Sequence, residues 1–335
     1  MADKLLTISI GVYNGELYIK QCLDSIVDSS VLEYLDIIVV NDGSKDNTSI
    51  IAHEYERKYP ATIRVFDYSN HGQGFAYQQG IRFSLGKYII LMDADDVLSN
   101  TGIVSLIEKI KIMDVDLLCF NVREFCESIE NIKNDKTFYE SFEVQKEVLE
   151  KVKYDIDDFQ GLISNAYIHN FAFNKRLFSE NEIVVNAMIY ADCILMTKIY
   201  EYANTVSFID ENIYLYRLSD VQATSLLGWY KYSDKLVDMV IEQISAYITL
   251  KSNDNISNQR INSIKKLTLS MLAHGYISAL IGSDTFKQIK RLNSNIIKDN
   301  ELNNEASFYV KIVRMNIPLF YPLLRAITIN RLRRK

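Results

Sequence analysis

The stretch GKYIILMDADDVL, residues 86–98, leads an apolar segment directly into three carboxylates within four positions. A short run of large apolar and β-branched residues is typical of a buried strand. Asp93, Asp95 and Asp96 would then lie at the carboxyl end of that strand, where their negative charges repel one another. A bound cation would relieve this repulsion, so the stretch indicates a ligand site at the end of a strand.

The same order of strand, turn and helix repeats through the first 120 residues. Apolar and β-branched clusters predict strands at residues 5–12, 36–40, 63–66, 87–92 and 115–120. Helical spacing of apolar residues predicts helices at 15–27, 46–58, 73–84 and 101–112. Alternating βα units predict an α/β fold with a mostly parallel sheet flanked by helices.

Turns rich in Gly, Asn and Asp follow the first four predicted strands. They are YNG at 13–15, NDGS at 41–44, NHGQG at 70–74 and DADD at 93–96. In open α/β sheets, ligands bind beyond the carboxyl ends of the strands. The four turns are therefore expected to form one binding site.

The acidic turn is suited to holding a divalent cation. Two carboxylates separated by one residue can point toward one Mg²⁺ or Mn²⁺ ion, which keeps positions open for substrate phosphates. Asp93 and Asp95 have this spacing. The alternative is that Asp95 or Asp96 only caps the following helix.

The second and third turns have residues suited to a nucleotide. Asp42 could accept a hydrogen bond from a base N–H, and Gly43 would allow the chain to approach closely. Gly72 would expose backbone N–H groups toward a phosphate. Each of these sequences is also a common turn, so the coincidence of all four turns carries more weight than any one.

The charge distribution bears on partners. The net charge is −6, but residues 311–335 have seven basic and no acidic residues, which leaves 30 basic and 43 acidic residues in 1–310. The acidic body argues against nucleic acid as a partner. The basic end, interleaved with apolar residues, predicts either peripheral contact with an anionic membrane or packing on the body or in a homodimer.

The four cysteines are widely spaced, and the amino terminus does not resemble a signal peptide. No segment approaches the roughly 20 apolar residues of a membrane helix. We therefore expect a cytoplasmic protein, with peripheral attachment to the inner face of the membrane as an option.

Four stretches together resemble glycosyltransferase family 2, whose members have the GT-A fold. They are ISIGVYNGELYIKQCLDSI, IIVVNDGSKDNT, NHGQGFAYQQGI and GKYIILMDADDVL. The resemblance covers residues 5–110 closely and 165–225 loosely. It implies a catalytic domain at 1–225, with a nucleotide-sugar half at 1–120 and an acceptor half at 121–225, followed by a helical region at 226–335.

The resemblance also implies roles for individual residues. The first nucleotide-contacting loop would comprise Val12, Tyr13 and Asn14. Asp42 would read the base beside Gly43 and Gly72, and Asp93 and Ala94 would lie along the ribose and diphosphate. Asp95, with Asp93, would ligate the metal, and Asp96 would organise the loop or reach the donor sugar.

On the acceptor side, family members often have an acidic residue at the start of a helix that deprotonates the attacking hydroxyl. Asp192, at the start of a predicted helix at 191–202, occupies that place and is the predicted base; the alternative is a plain helix cap. The segment YLYR resembles the family's Tyr-x-Tyr-Arg, and its Arg217 would either reach the diphosphate or pair with an acid. Against the family's pattern, Tyr77 and Gln78 replace a common Arg-Asn, and Ala191 replaces a Glu.

The resemblance implies an inverting glycosyltransferase that moves a sugar from a UDP-hexose or UDP-N-acetylhexosamine to a hydroxyl of a glycan acceptor, with Mn²⁺ or Mg²⁺ as cofactor. Two alternatives stay open. Asp93 to Val97 also satisfies the D-x-D-x-[TV] pattern of haloacid-dehalogenase-like phosphatases, with Asp93 as nucleophile. The departures from the family pattern also fit a non-catalytic protein that binds nucleotide sugars.

Overall fold

The computed structural model describes residues 3–126, 128–132, 153–158, 168–189, 191–218, 233–281, 285–296 and 298–305. The chain folds into two compact units. The first comprises Met1–Leu162, Ala166–Asn186 and Tyr202–Ser219, and the second comprises Ile163–Asn165, Ala187–Glu201 and Asp220–Lys335. The division after residue 225 that the sequence suggests stays a prediction.

The first unit is built on one sheet. Its strands are β1 (Leu6–Val12), β2 (Leu35–Asp42), β3 (Ile63–Tyr68), β4 (Tyr88–Asp93), β5 (Val97–Leu98), β6 (Leu117–Cys126), β7 (Ser128–Ile132), β8 (Tyr154–Asp155), β9 (Phe171–Asn174) and β10 (Thr205–Leu218). Their order is β3-β2-β1-β4-β9-β6-β10-β5, with β7 beside β6 and β8 beside β10.

The sheet is mixed. Strands β3, β2, β1 and β4 are parallel, as the βα repeats predict. Strand β9 lies antiparallel between β4 and β6, and β6 and β10 are again parallel. The parallel register places Gly11 beside Asp93 and Val12 beside Asn41. The carboxyl ends of β1, β2 and β4 therefore lie level with one another at one edge.

Helices cover both faces of this sheet. They are α1 (Ile19–Val27), α2 (Thr48–Lys58), α3 (Gln73–Phe83), α4 (Asn100–Ile112) and α5 (Arg176–Ser179). The apolar sides of α1, α2 and α4 pack with β1 in the main core, and α3 packs on the opposite face with residues of β2. The four predicted helices are confirmed, although α1 begins four residues later than predicted because residues 15–18 first form a turn.

Helix α3 lies close to β1 because it has a glycine at the contact. A Cβ added at Gly80 would overlap Oγ of Ser9 and lie 2.7 Å from its Cβ. At Gly11 of β1, an added Cβ would lie 3.3 Å from Ala76 of the same helix. The small residues thus fix the distance between α3 and the strand that leads into the first turn.

The second unit is helical. Its helices are α6 (Ala191–Tyr202), α7 (Ser233–Lys251), α8 (Asn258–Ile281), α9 (Thr285–Ile296) and α10 (Asn300–Glu305). The buried amide of Gln243 donates to Thr197 at 2.8 Å and to Thr268 at 3.0 Å, which joins α6, α7 and α8. The predicted helical region at 226–335 includes an asparagine-rich stretch after residue 281, and this stretch contains α9 and α10.

Among the described residues, no helix is both long and apolar enough to cross a membrane. The basic segment 311–335, for which the sequence predicts membrane contact, packing or dimerisation, lies outside the described residues.

Candidate active site

The first two turns are locked together by hydrogen bonds. Asn14 has a left-handed backbone (φ 53°), and its N–H donates to Ser44 Oγ at 2.9 Å. Its side-chain oxygen accepts from Lys45 N at 2.8 Å. Tyr13, beside it, is 50% exposed. The predicted nucleotide loop therefore has a fixed backbone and presents an exposed aromatic ring.

Asp42 holds the third turn in place. Its two carboxylate oxygens accept from His71 N and Gly72 N, each at 2.7 Å. Gly43 and Gly72 both have positive φ, 79° and 93°, which explains the glycines at these positions. Each oxygen of Asp42 can accept a second hydrogen bond, so the predicted contact with a base would use its remaining lone pairs.

The acidic turn contains one carboxylate that is almost completely buried. Asp96 is 1% exposed, and its oxygens accept from the Tyr214 hydroxyl at 2.5 Å and from Arg217 N at 2.7 Å. Both donors belong to β10, more than 100 residues along the chain. Asp96 thus ties the turn to β10, and its predicted roles in organising the loop or reaching the donor sugar stay predictions. The Asp95 carboxylate makes no hydrogen bond or ion pair with the residues that the structure describes.

His169 completes a group of side chains that could hold a metal ion. One oxygen of Asp93, one oxygen of Asp96 and one ring nitrogen of His169 lie within 4.8 Å of one another. The imidazole is 8% exposed and stacks on Tyr214 with ring centroids 4.6 Å apart. Two carboxylates and an imidazole are ligand types of Mn²⁺ and other divalent cations. The group fits the predicted cofactor, with Asp96 and His169 beside Asp93.

The charges of this turn affect one another. Burial and the neighbouring Asp95 raise the pKa of Asp93 to about 7, while a hydrogen bond from Gln73 opposes the increase. The pKa of Asp96 is also raised by burial and by the charges of Asp95 and Asp93. The hydrogen bonds from β10 offset only part of this increase. The turn therefore holds its negative charge at a cost, which a cation would offset.

The side chain of Arg217 is buried and contacts the backbone of the acidic turn. It is 5% exposed, and its Nε donates to the Asp95 carbonyl at 2.6 Å while Nη2 donates to Gln21. The guanidinium also lies over the rings of Tyr18 and Phe125, at 5.0 and 4.5 Å. These contacts hold the turn against α1 and β6. The predicted contact of Arg217 with a diphosphate stays a prediction.

The sequence comparison agrees with this geometry. The family model described as Glycosyl transferase family 2 matches residues 7–180, which include all four turns and His169. The chain belongs to glycosyltransferase family 2.

Curated relatives of this family 2 chain include two proteins of Streptococcus pneumoniae. Glycosyltransferase GlyA is 25% identical over 319 residues, covering 91% of this chain and 44% of GlyA. Glycosyltransferase GlyG is 26% identical over 255 residues, covering 71% of this chain and 82% of GlyG. The chain thus spans less than half the length of GlyA and most of GlyG.

The fold is shared with a solved structure, that of S. aureus TarS residues 1–349 in complex with UDP-GlcNAc. The TM-score is 0.66 at 14% identity, covering 99% of this chain and 92% of that chain. A likeness at this identity concerns the fold, and it confirms the GT-A architecture expected from the sequence.

Two positions that depart from the family's pattern serve local packing. Tyr77 is 2% exposed, and its hydroxyl accepts from Gln73 Nε2 at 2.9 Å. Gln78 donates to the Val185 carbonyl at 2.5 Å. Gln73 therefore links Tyr77 to Asp93. Tyr77 is the position where the resemblance implies an arginine.

Asp192 belongs to the second unit, where it lies in the first turn of α6 and is half-buried. Ala191, which replaces the family's Glu, is fully buried. The position at a helix start agrees with the sequence, and the role of Asp192 as base stays a prediction.

Sequence reasoning missed three supporting residues: Gln73, His169 and Tyr214. The sequence around His169, YIHNFAFN, has no ligand spacing relative to the acidic turn, because β9 enters the sheet from a distant segment. The only available signal for Tyr214 was its place in YLYR. Contacts between residues far apart in sequence need the tertiary structure.

Proposed function

We propose that the chain transfers a sugar, with inversion, from a uridine diphosphate sugar to a hydroxyl of a glycan acceptor. The observation that carries this proposal is the group of Asp93, Asp96 and His169 at the level where β1, β2 and β4 end. Family membership supports glycosyl transfer, and the TarS structure, which shares the fold, contains UDP-GlcNAc.

Each turn has a role in donor binding. The exposed ring of Tyr13 provides a face for the base, and Asn14 keeps the loop in place. Asp42 accepts an N–H of the base through its free lone pairs. Gly72 and Ala94 leave room for the ribose and diphosphate beside the acidic turn.

Divalent metal, held by Asp93 with Asp96, His169 or Asp95, would neutralise charge on the diphosphate. Arg217 and Tyr214 keep the carboxylates of the turn oriented. Of the two predicted cations, Mn²⁺ is favoured because the group includes an imidazole.

The reaction is a single displacement. Asp192 accepts the proton of the acceptor hydroxyl, whose oxygen forms a bond to the anomeric carbon as the bond to the diphosphate oxygen breaks. Uridine diphosphate leaves from the opposite face, so the anomeric configuration inverts. The family match favours this reaction over phosphatase chemistry at Asp93.

The test combines binding and transfer. We expect UDP with Mn²⁺ to raise the melting temperature of the wild-type protein. Asp95→Asn should weaken this stabilisation, whereas Asp192→Asn should retain it and abolish transfer from a panel of UDP-sugars to glycan acceptors.

The matched control is Glu54→Gln, which neutralises an exposed carboxylate of α2. It should behave like the wild type. Full transfer activity in Asp192→Asn would contradict its role as base. Binding of UDP without hydrolysis or transfer across the panel would favour the non-catalytic alternative.

A further inference from the structure

His53 of α2 lies between two carboxylates. Its Nδ1 is 2.8 Å from Glu56 Oε2 and its Nε2 is 2.7 Å from Asp67 Oδ2. A neutral imidazole has one N–H, whereas the imidazolium has two. Because carboxylates only accept, both hydrogen bonds exist together only when His53 is protonated.

The two carboxylates also join α2 to the edge of the sheet. Glu56 Oε1 accepts from Val65 N of β3 at 2.8 Å, and Asp67 Oδ1 accepts from Ser49 Oγ at 3.0 Å. Strand β3 is the last strand on this side of the sheet. Protonated His53 therefore closes a set of contacts that fixes α2 on β3.

In the part of the chain that the structure describes, His53 forms ion pairs with two groups, Glu56 and Asp67. Glu56 is on its own helix and Asp67 is on β3, while β2 contributes the neutral Asn41. From α1, Asp24 accepts from the Tyr55 hydroxyl and pairs with Lys20. Hydrogen bonds to Asp67 and Glu56 raise the pKa of His53.

A chain of hydrogen bonds connects Asp67 to the first two turns, at 13–15 and 41–44. Asn41 Nδ2 donates to Asp67 Oδ1 at 2.6 Å, and Asn41 Oδ1 accepts from Ser44 N at 3.1 Å. Ser44 Oγ accepts from Asn14 N at 2.9 Å. Three residues, Asn41, Ser44 and Asn14, therefore connect the first two turns to the carboxylate that His53 contacts.

We propose that His53 is a positioning residue, and that its protonation holds the first two turns in the conformation that binds nucleotide. The inference rests on the proposed function, since it concerns the affinity of the same site. Loss of the proton removes one of the two hydrogen bonds and releases either Glu56 or Asp67.

The sign of the effect follows from the raised pKa. The contribution is fully present below the ordinary pKa of histidine and is lost as the pH rises through the raised pKa of His53. The partners are partly exposed, with side-chain exposures of 36% for His53 and 44% for Asp67, so the effect is moderate. We expect a change of about two- to fivefold in nucleotide affinity, the range typical of exposed ion pairs.

The experiment measures the affinity for UDP in the presence of Mn²⁺ from about pH 6 to about pH 9, for wild type and His53→Gln. Glutamine stays neutral and donates to one carboxylate at most. At the acid end, His53→Gln should bind UDP about two- to fivefold more weakly than the wild type, and at the alkaline end the two should be equal. The acidic turn is the same in both proteins, so its own pH dependence cancels in the ratio of the two affinities.

Two further variants complete the design. Asp67→Asn should likewise bind UDP more weakly than the wild type mainly at the acid end, and it serves if His53→Gln does not fold. Lys20→Gln removes an exposed ion pair on α1 and should leave the ratio at one.

If the ratio of the UDP affinity of His53→Gln to that of the wild type is the same at every pH, the inference is wrong. Such a result would indicate that His53 has no role in binding or a purely structural one. Failure of the wild type to bind UDP at any pH would instead contradict the proposed function, and the inference with it.

Discussion

Replacing Tyr214 by phenylalanine removes one hydroxyl from the centre of the candidate active site. The hydroxyl donates to Asp96 at 2.5 Å, and the side chain is fully buried, so the ring and its stacking on His169 remain. Asp96 then keeps a single donor, the backbone N–H of Arg217. The change therefore tests the support of the acidic turn without opening a cavity.

The size of the effect follows from the type of bond lost. A hydrogen bond to a charged group contributes about 1.5–3 kcal/mol, and a buried acceptor that loses its donor costs about 1–3 kcal/mol. A loss of about 2 kcal/mol would lower the melting temperature by about 4–8 °C for a unit of this size. Losing a partner that orients a metal ligand also costs about 10- to 100-fold in metal affinity.

Calorimetric titration with Mn²⁺ and thermal unfolding measure these two effects separately. The control is Tyr88→Phe, because the Tyr88 hydroxyl is also buried and bonds to the backbone of Val115, at 2.7 and 3.0 Å. Tyr88→Phe should lose stability and keep its Mn²⁺ affinity. If Tyr214→Phe binds Mn²⁺ as tightly as the wild type, Asp96 does not depend on Tyr214 for metal binding and the reasoning is wrong.

Gly80→Ala should lower the free energy of unfolding by about 1–3 kcal/mol because its Cβ would overlap Ser9, and urea unfolding should show a much smaller loss for Gly11→Ala. Equal losses would contradict the close approach of α3. Asp116→Asn should be less stable than the wild type above about pH 4, and the difference should be small at lower pH. The reason is that hydrogen bonds, including those from Arg176, lower the pKa of Asp116. The contribution of Asp116 to stability disappears as the pH falls through that lowered pKa. Urea unfolding midpoints of the two proteins, measured over this pH range, check the prediction. A difference in midpoint that does not change with pH would contradict it. Chelation of divalent ions should abolish most of the thermal stabilisation by UDP, and full stabilisation without metal would show that nucleotide binding does not need the cation.

Much of the first unit was predictable because its signals are local. The apolar runs of β1, β2, β3 and β4 and the helical spacing between them predict the elements, and the parallel order follows from the βα connections. The acidic cluster of Asp93, Asp95 and Asp96 was predictable because it follows a buried strand. The sequence assigned the metal to Asp95 with Asp93, whereas the structure groups Asp96 and His169 with Asp93. The mainly helical character of the C-terminal region was predicted as well, and α9 and α10 fall within it.

The sequence by itself determined the four turns, the acidic cluster and the family, because each depends on residues that are neighbours along the chain. Only the tertiary structure decided what surrounds the acidic cluster. It brought His169 and Tyr214 beside Asp93 and Asp96. The physical reason is that strand pairing joins segments more than 70 residues apart, and no local pattern records which strands will be neighbours.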